Sequence, residues 1–100
     1  MAKGYWVVAV DVSDPERYKE YVAANAEPLR HYGGKFITRG GQAEQLEGKL
    51  RKRIVVIEFP SYQAALDCYR SKEYQQAVKL RAHASVADFA VLEGYDGPQP

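Results

Sequence analysis

The chain predicts an α+β fold: a ferredoxin-like domain of order β-α-β-β-α-β, with an antiparallel sheet and two helices on one face. Two observations predict it. Four short runs are rich in aromatic and β-branched residues, centred on Tyr5–Val12, Lys35–Arg39, Arg53–Phe59 and Asp88–Glu93, as strands are. Two longer stretches at Asp14–Tyr32 and Ser61–Arg81 carry apolar residues near the helical period. The length of 100 residues suits a single domain over 1–95, with Gly- and Pro-containing residues 96–100 as a flexible C-terminal tail.

Tyr5-Trp6-Val7-Val8-Ala9-Val10 has no polar alternation. Its two faces are both apolar, so both require cover. Pro15 suits a first helical position; Ser13 and Glu16 have capping-box spacing, with Asp14 the alternative cap. Pro28 cannot sit inside a helix without removing a hydrogen bond. A break is therefore expected near Asn25–Glu27, followed by a short piece that Gly33-Gly34 stops. Gly40-Gly41 predicts a bulge or a close backbone approach that interrupts the second strand, which is expected to resume over Ala43–Leu46 before a turn at Glu47-Gly48-Lys49. The third strand is again apolar on both faces, and Pro60 ends it. Ser61 caps the second helical stretch, Ser71 marks a restart within it, and Ala82–Ala87 reads as a connection.

Right-handed crossovers give strand order 4-1-3-2 with both helices on one face. The other face then carries a broad apolar surface, which a monomer seldom exposes. Pairing of two copies through that face would remove it, so a homodimer is expected. A domain of this size also has limited burial of its own.

The net charge of +1 offers no broad field for nucleic acid or an anionic membrane. RNA-binding domains of the same element order stack bases on aromatics of the third strand; here that strand is Arg53-Ile54-Val55-Val56-Ile57-Glu58-Phe59. The N-terminal apolar run stops at Asp11, short of a secretory signal, and no stretch reaches membrane-spanning length. Cys68 is the single cysteine, which fits a reducing compartment and a cytoplasmic location.

Several residues together resemble a known family: Gly4-Tyr5-Trp6, Asp14-Pro15 with Tyr18 and Tyr21, Tyr32-Gly33-Gly34, Arg39-Gly40-Gly41, Val56 to Ser61, Ala64-Ala65 with Tyr69-Arg70-Ser71, and Glu73-Tyr74 with Arg81. In this order they resemble a family of short bacterial proteins known as a domain of unknown function. That family is similar to the dimeric α/β-barrel superfamily, which includes antibiotic-biosynthesis monooxygenase-like proteins. The resemblance spans the chain up to the tail. It implies a dimeric α/β barrel and, by fold analogy alone, cofactor-free oxygenases or isomerases as the reaction classes to consider, the alternative being a non-catalytic dimer that binds a metabolite or a protein.

Candidate chemistry centres on Arg39 and Glu58. A hairpin turn at Gly48-Lys49 would set them opposite one another across the second and third strands. A carboxylate inside an apolar strand must be paired or hold its proton. The pair reads either as acid/base group and anion anchor or as an ion pair that fixes register. Asp11 ends the first strand. The first and third strands are expected as parallel neighbours, which brings Asp11 near Glu58 at one sheet edge, where two carboxylates could share a proton or a metal. The simpler reading is that Asp11 helps satisfy the helix start. Tyr69, Tyr74 and Arg81, with Tyr18, are the candidate ligand-binding residues, because aromatic walls with a few polar points make small-molecule sites. The ligand would be a small organic compound, aromatic or carrying a carboxylate. No cofactor or metal is expected: no phosphate loop, paired Cys-x-x-Cys or His-rich spacing is present. His31 and His83 read as helix C-terminal residues, and Cys68 as a buried small residue.

Overall fold

The computed structural model describes residues 2–100; Met1, included in the expected domain, lies outside the described residues. Strand β1 spans Gly4–Val12, helices α1 and α2 span Pro15–Ala24 and Ala26–His31, and β2 spans Lys35–Arg39. Strand β3 spans Arg53–Phe59, helices α3 and α4 span Tyr62–Arg70 and Lys72–Arg81, and β4 spans Ser85–Glu93. The sheet is antiparallel throughout, in the order β2-β3-β1-β4, which is the expected order read from the other edge.

Local chemistry sets the helix boundaries. The Asp14 carboxylate accepts from the Arg17 N–H and caps α1, so of the two candidate caps Asp14 serves. The first helical stretch breaks at Asn25, and Pro28 falls in the first turn of α2, where its missing N–H costs no helical bond. Gly33, at φ +76°, and Gly34 end α2 by donating to the carbonyls of Arg30 and Leu29. Ser61 caps α3 through Ala64, and Ser71 caps α4 through Tyr74, which is the expected restart.

The helices cover one face of the sheet. Trp6 and Val10 of β1 and Val55, Ile57 and Phe59 of β3 are buried, and the core they enter is completed by Tyr21, Leu29, Ala65, Cys68, Tyr74 and Ala77 of the helices. The opposite face carries Tyr5, Val7, Ala9, Ile54, Val56, Ala90 and Leu92, none of them buried. The molecule measures 43 × 35 × 17 Å. Its thin dimension is that of one helix layer on one sheet, with no third layer.

Four expectations need correction. Strand β1 runs antiparallel to β3, not parallel, because β3 is the return strand after β2. Asp11 and Glu58 therefore lie at opposite ends of the sheet, with Glu58 beside Tyr5. The register break in β2 lies between Phe36 and Thr38, before the glycines. No strand resumes over Ala43–Leu46; instead the Gln45 side-chain amide bonds both the N–H (2.8 Å) and the carbonyl (3.0 Å) of Leu50 and closes the loop. Strand β4 begins at Ser85, earlier than expected, because β1 offers partners as far as Val12.

Gly4 is required by a close approach. A methyl there would lie 2.6 Å from the Cα of Tyr62 and against the Ser61 carbonyl, both backbone atoms that cannot swing away. Gly4→Ala is expected to destabilise the domain by about 2–3 kcal/mol through overpacking, read as a lowered urea midpoint. An unchanged midpoint would mean that β1 and α3 are not held this closely.

Candidate functional site

A cavity of about 40 Å³ lies between α1 and the helix-covered face of the sheet. Its floor is Trp6, Val8, Val55, Ile57 and Phe89 from three strands, and its roof is Tyr18, Tyr21, Val22 and Asn25 from α1 and its end. Phe36 and Arg39 on β2 and Arg53 at the start of β3 complete it. The strands contribute alternate residues, so each lining side chain points to the helix layer.

The polar atoms here are unevenly satisfied. Asn25 is buried to 6% exposure, yet its Oδ1 has no hydrogen-bond partner among the described residues. The buried Nε atoms of Arg53 and Arg81 are likewise unpartnered. Such groups are uncommon in folded proteins because each forgoes its hydration. The Arg53 guanidinium lies 6.0 Å from the Tyr18 ring centroid, and that of Arg81 lies 5.2 Å from the Tyr21 ring. The Arg39 guanidinium rests 3.9 Å above Phe36, in cation–π contact. Gly40, at φ +71°, leaves room for the Arg53 guanidinium, which any side chain there would strike.

Behind the cavity, the hydroxyls of Tyr21 and Tyr74 share a 2.6 Å hydrogen bond. Burial, reinforced by Tyr21, raises the Tyr74 phenol well above the usual tyrosine value, so it stays protonated. Burial and the neighbouring Tyr21 also raise Tyr18, with Arg53 working against the shift. Tyr69 packs between Trp6, Tyr74 and Phe89, with ring centroids 6.3, 5.6 and 4.8 Å away.

The structure thus brings Arg39 and Tyr18 to the cavity and sets Tyr74, Arg81 and Tyr69 in the layer supporting it. Glu58 is elsewhere. Arg39 stands opposite Val55, and Glu58 opposite Lys35. The expected Arg39–Glu58 opposition fails because, although the connection bends at Glu47-Gly48, the register places Arg39 opposite a residue three positions before Glu58, and the two residues occupy different faces. Glu58 instead accepts from the Tyr5 hydroxyl at 3.3 Å on the open face, and burial followed by Glu58 raises the Tyr5 phenol.

Asn25 and Arg53 were not singled out in the sequence. Asn25 reads there only as a helix break and Arg53 only as a strand start. The left-handed Gly40 is the one local hint, since it marks where the backbone makes room for Arg53.

Asp11 neither serves the helix start nor meets Glu58. It accepts from the Lys52 N–H and from Arg51, both at 3.1 Å, and Arg51 also donates to Asp88 at 3.2 Å. These bonds tie the loop after β2 to the sheet. The Lys52 N–H above all, then Arg51, lowers the Asp11 carboxyl below its ordinary 3.8 despite some burial. A depressed carboxyl favours the folded state above its unfolded pKa, and this contribution is lost as pH falls through the lowered value. The Lys52 amide proton shift is expected to titrate with Asp11, with a midpoint below 3.8; a midpoint at or above it would disprove the anchor.

His31 does end a helix, and its Nδ1 lies 2.9 Å from Glu73. Cys68 is fully buried against the Pro28 carbonyl, and burial pushes its thiol up to about 12. Among the described residues no three His, Cys, Asp or Glu side chains gather as a metal would need, and no helix is long and apolar enough to cross a membrane.

The fold and this helix–sheet cavity define the class: a ferredoxin-like α+β domain. The chain belongs to the family described as domain of unknown function DUF1330, whose pattern matches residues 3–95. No curated protein matches it. Among solved structures it is similar to a protein of unknown function from Rhodopseudomonas palustris, at 20% identity and TM-score 0.74 over 96% of this chain and 85% of that one. It is also similar to SnoaB, a cofactor-independent oxygenase from Streptomyces nogalater, at 12% identity and TM-score 0.61 over 100% and 97% of the two chains. A dimeric ferredoxin-like protein of unknown function from Thermobifida fusca matches at 13% identity and TM-score 0.56 over 91% and 92%. At these identities the likeness is one of fold.

Proposed function

We propose that the protein is a homodimer that binds a small organic molecule in the cavity beneath α1 and acts on it without a cofactor, as an oxygenase or an isomerase does. The observation that carries this reading is the cavity itself. Apolar and aromatic walls surround a few convergent polar groups, and buried Asn25 Oδ1 and Arg53 Nε lack partners among the described residues, as in a site built for a ligand. Chemistry of this kind starts with loss of a proton from the ligand, and nearby guanidinium groups favour the anion formed. The proton leaves to solvent at the open mouth. Tyr21, held by Tyr74, is placed to donate a hydrogen bond to the anion left behind, and Arg39 anchors the ligand at the mouth.

The dimer forms through the open sheet face, with Tyr5 and Glu58 inside the interface. The likeness to a dimeric ferredoxin-like protein supports this. The buried, free Cys68 supports work in the cytoplasm.

The test is a screen of small aromatic and conjugated compounds, neutral and anionic, by thermal shift and Trp6 fluorescence. Compounds that bind are expected to raise the melting temperature and change the fluorescence together. Val22→Phe, which fills the cavity from its roof, is expected to abolish both responses while circular dichroism stays native. Responses that survive Val22→Phe, or a screen without any, would overturn the proposal.

A further inference from the structure

We infer that the cavity recognises a small organic carboxylate with a hydroxyl on the neighbouring carbon, entering head first with its apolar remainder against Phe36 at the mouth. This rests on the cavity being a small-molecule site and names the chemistry of its ligand.

The first argument is charge. Arg39 and Arg53 line the cavity, and among the described residues no Asp or Glu does. Arg81 adds a third guanidinium against the Tyr21 ring. A guanidinium is always charged and has only donors to offer. Arg53 keeps a buried Nε without an acceptor among the described residues. A carboxylate supplies both the missing acceptor and the missing charge, in the planar geometry that arginine matches.

The second argument is Asn25, a polar side chain 94% buried by its 6% exposure and lining the same cavity. Its free atom is the acceptor Oδ1. A carboxylate cannot satisfy an acceptor, so the ligand must also bring a donor. A hydroxyl beside the carboxylate brings one within the span of a single head group.

The third argument is size. A volume of about 40 Å³ holds a few water-sized groups, enough for a hydroxy-carboxylate head but not for a whole aromatic compound. The remainder must leave through the mouth. There Phe36 is 37% exposed, and Arg39 covers its ring, so an apolar or aromatic tail finds an apolar surface beside a cation.

Trp6 is the single tryptophan and lines the cavity, so its fluorescence reports occupancy directly. The purified full chain is titrated with mandelate, phenylacetate (no hydroxyl), mandelamide (no charge) and inorganic phosphate. Mandelate is expected to give a saturable change, phenylacetate to bind about tenfold more weakly, and mandelamide and phosphate at least about thirtyfold more weakly. Asn25→Leu is expected to bring mandelate down to the level of phenylacetate. Arg53→Gln is expected to remove carboxylate binding, and Arg53→Lys, which keeps the charge and loses the fork, to fall between. Each variant is first checked for native circular dichroism. Mandelamide binding as tightly as mandelate would overturn the anionic assignment while leaving the small-molecule site standing. Phosphate equal to mandelate would overturn the organic acid. No response to any of the four would overturn this inference alone if neutral compounds from the wider screen still bind in a Val22-dependent way.

Discussion

Trp6→Ala is expected to cost about 4–5 kcal/mol, the upper part of the range for removing a buried aromatic side chain, and so most of the stability of a domain this small. Trp6 is exposed to only 1% and is the third residue of β1, the strand between β3 and β4. Its ring centroid lies 4.8 Å from that of Tyr74 and 5.0 Å from those of Phe59 and Phe89. These rings come from α4, β3 and β4, so one side chain joins the helix layer to three strands. Tilted and edge-on aromatic contacts add to the burial itself. Its indole N–H donates to the Ala65 carbonyl at 2.8 Å, which fixes α3 over β1. Trp6→Phe keeps most of the burial but loses that bond and some volume, and is expected to cost about 1.5–2 kcal/mol. Urea denaturation followed by far-ultraviolet circular dichroism measures both. A loss below about 2 kcal/mol for Trp6→Ala would mean that the core is organised around another residue.

Val7→Asp is expected to convert the proposed dimer to a folded monomer, weakening association at least about a thousandfold. Val7 lies on the open face of the central strand β1, between Val56 of β3 and Ala90 of β4. In a single copy this face meets water, so a carboxylate there costs little. In a sheet-to-sheet dimer each copy would bury one uncompensated charge. Val86 at 57% and Leu92 at 48% exposure extend the apolar surface along β4. Light scattering coupled to size exclusion gives the mass, and circular dichroism shows whether the fold persists. A native protein that is already monomeric, or a Val7→Asp variant that remains dimeric, would rule out this face as the interface.

The candidate site was only partly legible in the chain. Tyr18 and Arg39 could be singled out because aromatic and cationic residues near element ends are conspicuous. Arg39 and Glu58 could not be assigned to faces. The strand that holds Glu58 is apolar on both sides, so alternation carries no signal there, and a thirteen-residue connection over 40–52 leaves hairpin register open. Asn25 was invisible as a site residue, because an asparagine that breaks a helix gives no hint that its side chain will be buried without a partner.

By itself the sequence determined what is local. Pro15, Ser61 and Ser71 begin helices, Pro28 and Gly33-Gly34 interrupt or end them, and β-branched runs set the strands; each effect acts within a few residues through the backbone. The strand order also followed, because crossover handedness leaves few alternatives. The tertiary structure alone decided how β2 registers on β3, that Glu58 faces away from the helices, that Arg51 ties Asp11 to Asp88, and that Asn25, Arg53 and Tyr18 share one cavity. These relations join residues far apart in the chain. They depend on how one layer lies on the other, which is set by close packing of the whole core and not by any segment of it.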